Sequence, residues 1–117
     1  RLVRKICAKC KKEYKPSELE ISEFGVPNEG LKGMKFYKGA GCSECNGSGY
    51  KSRTGLYELL IVDDRIRDLV IKRESITSIR NAACQAGMKT LRENGLTKVM
   101  DGITTIEEVL RETKEYA

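Results

Sequence analysis

Two cysteine pairs, Cys7-Ala8-Lys9-Cys10 and Cys42-Ser43-Glu44-Cys45, constrain this chain more than any other feature. A C-x2-C turn lets two sulfurs converge on one point when the backbone just beyond it can take positive φ. Gly47 and Gly49 follow the second pair, and glycine adopts that conformation without steric cost. Together the pairs read C-x2-C-x31-C-x2-C in a sequence with no histidine. The soft-metal site on offer is therefore an all-cysteine tetrahedron of Cys7, Cys10, Cys42 and Cys45, with Zn2+ the expected occupant. The separation of 31 residues is longer than the usual zinc spacing. Four thiolates fill the tetrahedron and leave no position for water, so the expected role is structural.

Disulfides are the competing use of these cysteines, and they require an oxidising compartment. No apolar run exceeds the four residues Leu59–Val62, so neither a signal peptide nor a membrane span is expected. A 33% share of charged residues and an odd fifth cysteine, Cys84, suit a reduced cytosolic protein.

At 117 residues the chain is one ordinary domain or two small ones sharing an interface. Its net charge of +5 is unevenly placed: residues 1–15 carry seven Lys/Arg against the single acid Glu13, and the remainder is close to neutral. A tetrathiolate site with a divalent ion is itself anionic, so part of this basic cluster compensates it. A basic knuckle also fits a nucleic-acid-binding zinc-ribbon module. The aromatics, Phe24, Phe36 and five Tyr, are few and not interleaved with the basic run, so no nucleic-acid partner is expected and the cluster is a solvated face.

Composition changes near residue 56, since eight of the eleven glycines and both prolines precede it. The fold class expected is α+β: a loop-rich tetracysteine subdomain inserted in an antiparallel β-hairpin, then a small bundle of about four helices. RLVRKIC (1–7) reads as a strand, Ser17-x-x-Glu20 as a capping box opening a helix over 18–24, Pro27-Asn28-Glu29-Gly30 as a turn, and MKFYKG (34–39) as a strand. RTGLYELLIV (53–62) is the strongest strand candidate, its apolar density predicting burial on both faces. Paired with residues 1–7, it makes the metal segment an excursion from a hairpin and brings Cys7 close to Cys45.

Helical periodicity begins at Asp63, with Ile66, Leu69 and Val70 on one face. Ser75 caps a second helix whose stripe is Ile76, Ile79, Ala83 and Ala86, ended by Gly87. Met88, Leu91, Gly95, Leu96 and Val99 share one side of a third helix that continues through Gly95, placing that glycine on the buried face. Thr105-x-x-Glu108 opens the last helix, carrying Ile106, Val109 and Leu110. Asp63, Asp64, Glu107 and Glu108 read as acids at helix starts. No phosphate loop occurs, and with no histidine and no nucleophile–base pair the chain offers no catalytic and no cofactor-binding residues.

The order RLVRKICAKC, GCSECNGSGYKSRTGLYELL, RIRDLV, AGMKTLRENGL and DGITTIEEVL resembles the C-terminal end of GspE/PilB-type ATPases of type II secretion and type IV pilus assembly, over essentially the whole chain. The resemblance implies that residues 1–57 are an end strand of the ATPase core plus the tetracysteine zinc subdomain, and 58–117 the end of the returning strand plus a helical domain. It also implies ATP and Mg2+ bound only in a core upstream of this chain. The implied partners are that core, neighbouring subunits of a homohexamer and an inner-membrane platform protein. Location is then cytoplasmic, peripheral to the inner membrane, without direct membrane insertion. The family usually has Thr-Gly-Tyr where this chain has Ser48-Gly49-Tyr50, and Gly-Arg where it has Ser52-Arg53. Two other families share part of the pattern. Cys42–Gly49 fits one C-x-x-C-x-G-x-G repeat of the DnaJ-type chaperones, which need four, and a rubredoxin-like iron electron carrier also uses two C-x2-C knuckles.

Overall fold

The computed structural model describes residues 1–25 and 33–114; the turn expected at residues 27–30 lies outside them. The elements are β1 (Leu2–Ile6), β2 (Lys11–Tyr14), α1 (Glu18–Glu23), β3 (Phe36–Gly39), a single 3-10 turn (Ser43–Cys45), β4 (Tyr50–Gly55), α2 (Asp64–Ile71), α3 (Ile76–Gln85), α4 (Leu91–Met100) and α5 (Ile106–Thr113). This is the α+β arrangement expected, with two antiparallel strand pairs and helices after them.

β1 pairs with β4, Leu2 opposite Gly55 and Ile6 opposite Tyr50. The register shifts between Arg4 and Ile6, so that Lys51 and Ser52 together face the single residue Lys5. Such a bulge places an extra residue off the ladder, often in the left-handed conformation, and Ser52 has φ 68°. β2 pairs with β3, Lys11 opposite Gly39 and Tyr14 opposite Phe36. The pattern gives no hint of β2, because KKEY buries no side chain fully. The ribbon is held by its backbone ladder, by Phe36 in the core and by lysines lying on rings, Lys11 over Tyr37 at 4.7 Å and Lys38 over Tyr14 at 5.0 Å.

Four helix starts were legible from their caps. Ser17, Asp63, Ser75 and Thr105 each accept the N–H three residues on, from Glu20, Ile66, Ser78 and Glu108, satisfying a donor that the helix itself leaves open. Gly87, at φ 107°, ends α3, with Met88 N–H returning to Ala83 O at 3.0 Å, the 6→1 closure of a Schellman motif.

The helices divide between two clusters. The larger joins Val3 of β1, Phe24, Phe36 of β3, Leu56, Val99 of α4 and Val109 of α5. The smaller is Ile66 of α2 with Ala82 and Ala83 of α3, backed by Leu69, Ile79 and Met88. α4 runs through Gly95, which is buried as expected. A Cβ there would lie 2.3 Å from Val109 Cγ1, so the missing side chain sets the approach of α4 to α5.

Three expectations are corrected. The strand foreseen at 53–62 is Tyr50–Gly55, and residues 56–62 belong to no sheet among the described residues. That segment is not buried on both faces: Leu56 is buried, but Tyr57, Leu59, Leu60, Ile61 and Val62 are 43–74% exposed. High apolar density signals a need for cover, and within the described residues the cover is absent. For the same reason Val70 and Ile76 are exposed instead of lining a shared stripe. Ala86 is exposed as well, and the buried face of α3 turns on Ala82 and Ala83.

Candidate metal centre

The two knuckles meet because the strands that carry them are paired twice over. Cys7 follows the last residue of β1, and Cys10 precedes β2; Cys42 and Cys45 stand between β3 and β4. The β1–β4 ladder continues through Cys7 N–H to Gly49 O at 2.9 Å, and the β2–β3 ladder through Ala40 N–H to Cys10 O at 3.0 Å. Gly49 has φ 82°, and a Cβ there would lie 2.6 Å from Gly39 O, while one on Gly39 would lie 2.2 Å from Gly49 O. Two glycines are thus required where these backbones cross.

All four Sγ atoms lie within 4.8 Å of one another. Cys7–Cys42 and Cys10–Cys45 are each 3.8 Å apart, and Cys42–Cys45 is 3.7 Å. A tetrahedron with metal–sulfur bonds of about 2.3 Å has edges of about 3.8 Å, so the four sulfurs fit one ion at their centre. Disulfides need sulfurs about 2.05 Å apart, and all five cysteines are free. Backbone donors surround the sulfurs as an outer shell would: Gly41 N–H to Cys10 Sγ at 3.2 Å, Cys42 N–H to Cys45 Sγ at 3.3 Å and Gly49 N–H to Cys45 Sγ at 3.2 Å.

These donors act unequally. Burial by itself raises the Cys45 thiol, but the N–H groups of Cys42 and Gly49, with the neighbouring thiols, hold it down to about 6. Cys10 is pushed up to about 11, by burial first, with the single Gly41 N–H only partly opposing it. Cys7 and Cys45 are buried, and Cys10 and Cys42 half-buried. No site of this kind can supply a water or an open coordination position once four sulfurs are engaged. Cys84, half-buried on α3, stands outside the cluster. Arg53 is exposed on β4 opposite Arg4.

A second polar centre lies beside the first and escaped the sequence reading. Glu108, read as an acid at a helix start, is 1% exposed. It accepts from Arg4 N–H at 2.9 Å, from Arg4 Nε at 3.0 Å and Nη2 at 2.7 Å, and from Arg111 Nη2. Burial alone would raise its carboxyl; the Arg4 guanidinium and backbone N–H, with Arg111 behind them, hold it below the usual range. Arg4 also stacks over Tyr50 at 4.2 Å, whose hydroxyl meets Thr105 Oγ1 at 2.9 Å. The capping pattern found Glu108 but could not reveal that β1 would bring an arginine to it from 104 residues away.

A family model described as type II/IV secretion system protein matches residues 1–111. The chain is 48% identical over 115 residues to the type IV pilus assembly ATPase PilB of Thermus thermophilus, an alignment covering 98% of this chain and 13% of that protein. It is 39% identical over 115 residues to the type II secretion system protein E of Pseudomonas aeruginosa, covering 98% and 22%, and 38% identical over 115 residues to the type II secretion system ATPase E of Vibrio cholerae, covering 98% and 22%. The chain therefore spans between 13% and 22% of the length of these relatives.

Proposed function

The chain belongs to the type II/IV secretion system protein family, and we propose that it is the C-terminal structural and interaction portion of a hexameric ATPase driving type IV pilus assembly or type II secretion. On this reading residues 1–57 are the end strand of the ATPase core with a zinc-stapled subdomain, and 58–117 a helical domain. ATP and Mg2+ bind in a body outside this chain. Cys7, Cys10, Cys42 and Cys45 hold one structural Zn2+, closing the base of the excursion between β1 and β4. The protein works in the cytoplasm at the inner membrane through an integral platform protein; no described helix is long and apolar enough to cross a membrane.

The observation that carries the reading is the uncovered run Tyr57–Val62. An isolated, self-sufficient module does not leave five large apolar side chains within six residues in water. Glu58, within the same strip, pairs with Arg80 Nη1 across 3.8 Å, and its buried Oε1 has no hydrogen bond among the described residues. The strip is therefore the face that the rest of the ATPase covers, and the metal-closed module with the helices is a rigid attachment upon it.

The test uses the intact ATPase and this chain in parallel. Leu59→Lys with Ile61→Lys leaves metal content and helix signal of the chain unchanged but lowers hexamer formation and ATP turnover of the parent. Unchanged turnover in the parent overturns the reading. The rival, a nucleic-acid-binding module, rests on Lys5, Lys9, Lys12 and Lys15, which are exposed and lack an acidic partner among the described residues. Salt-dependent DNA or RNA affinity that vanishes on neutralising Lys9, Lys11, Lys12 and Lys15 would favour it.

A further inference from the structure

We infer that the metal site secures the start of α5 through a polar seam on the outer edge of β1, so that metal occupancy sets how firmly the first turn of that helix is held. The inference rests on the metal reading above and adds a regulated element to it.

One edge of β1 pairs with β4. The other is closed by residues 103–108. Ile6 N–H donates to Ile103 O at 2.9 Å, Thr104 Oγ1 donates to Arg4 O at 2.7 Å, and Arg4 N–H donates to Glu108 Oε2 at 2.9 Å. The Arg4 guanidinium then doubles back onto Glu108 Oε1. From β4, Tyr50 reaches Thr105, the N-cap of α5. Residues 103–108, the connection into α5 and its first turn, thus cap the outer edge of β1 through one backbone and two side-chain hydrogen bonds.

Those strand ends depend on the site. Ile6 adjoins Cys7, and Tyr50 adjoins Gly49, whose N–H serves Cys45 Sγ and whose carbonyl receives Cys7 N–H. Residues 7–10 and 40–49 contribute to neither apolar cluster, so without the ion little but hydrogen bonds holds them. When they open, the Ile6–Tyr50 end of the ladder loosens, and Arg4 loses its fixed place against Glu108. Glu108 then loses three of its four donors and keeps Arg111 alone; a buried carboxylate short of donors is unfavourable, and the relief available is for the first turn of α5 to open and hydrate it. The α2–α3 pair has its own cluster and is not in this chain of dependence.

Site-resolved amide exchange on the metal-loaded chain, before and after removal of the ion by a chelator, tests this, with metal content measured on each sample. Exchange at Glu108, Val109 and Leu110 should rise at least about tenfold on metal loss, while α2 and α3 stay within about twofold. Coupling between two equilibria is reciprocal, so Glu108→Gln should weaken metal binding by a similar factor although it touches no cysteine. Should that variant fail to fold, Tyr50→Phe, which removes only the hydroxyl link to Thr105, should shift both readouts the same way by a smaller amount. A chain that takes up no metal overturns both the metal reading and this inference. A chain that loses its metal with α5 exchange unchanged, or with α2, α3 and α5 accelerated alike, overturns this inference alone.

Discussion

Gly95→Ala should destabilise the chain, although glycine to alanine within an exposed helix ordinarily stabilises it. The propensity gain is about 1 kcal/mol. Against it stands the position of the new methyl: 2.3 Å from Val109 Cγ1, 3.0 Å from Cγ2 and 3.2 Å from Cβ. Val109 is wholly buried at the centre of the larger cluster, so it cannot swing into solvent. α4 and α5 must instead separate by more than an ångström, or Val109 must leave its rotamer. Overpacking of this kind costs about 1–3 kcal/mol, and an overlap onto a fully enclosed side chain falls at the upper end. The net effect expected is a loss of about 2 kcal/mol, read as a lower urea midpoint at unchanged slope. Val109→Ala alone loses buried methyls and leaves a small cavity, costing about 1–2 kcal/mol. In the double variant the two changes relieve each other, and the loss should fall short of the sum by about 1 kcal/mol or more. A stabilised Gly95→Ala, or strictly additive losses, would refute the close α4–α5 packing.

Three further outcomes follow from single sites. Glu108 has a folded pKa below its unfolded value, so its contribution is fully present above about pH 4.3 and disappears as pH falls through the lower folded value; the stability difference between wild type and Glu108→Gln, measured by urea titration, should therefore shrink on acidification through that window. Ser52→Gly should raise stability by about 1 kcal/mol in the same assay, since Ser52 occupies a left-handed conformation at φ 68° that costs an L-residue about 1–2 kcal/mol. Cys84, half-buried and remote from the cluster in its contacts, should react with a thiol reagent while the metal remains bound; metal release tracking modification of Cys84 alone would contradict its placement.

The departure at Ser52 illustrates how family resemblance and geometry meet. The resembled family usually carries glycine there, and the bulge opposite Lys5 gives the physical reason: one residue must leave the ladder with positive φ. The same sheet shows where pattern reading stops. β2 is a strand of three charged residues and a tyrosine whose pairing is decided by Phe36–Gly39 across from it, and no alternation of buried and exposed positions marks it in the sequence.

Local chemistry was determined by the sequence alone. Four cysteines in two turns without any histidine leave one candidate ligand set, the cap residues mark where helices begin, and the phase of Gly95 on its helix places it inward. Each turn, cap and helix face depends on residues a few positions apart, for which spacing is geometry; that the two cysteine turns meet across 31 residues is the work of the paired strands. What tertiary structure decided involves residues far apart in the chain: the burial of Glu108 against Arg4, the sealing of β1 by residues 103–108, and the exposure of Tyr57–Val62. An apolar run records that cover is needed and an acid records a charge, but neither records which distant surface arrives. That depends on how the elements pack, because burial and ion pairing are properties of the space between elements and not of any one of them.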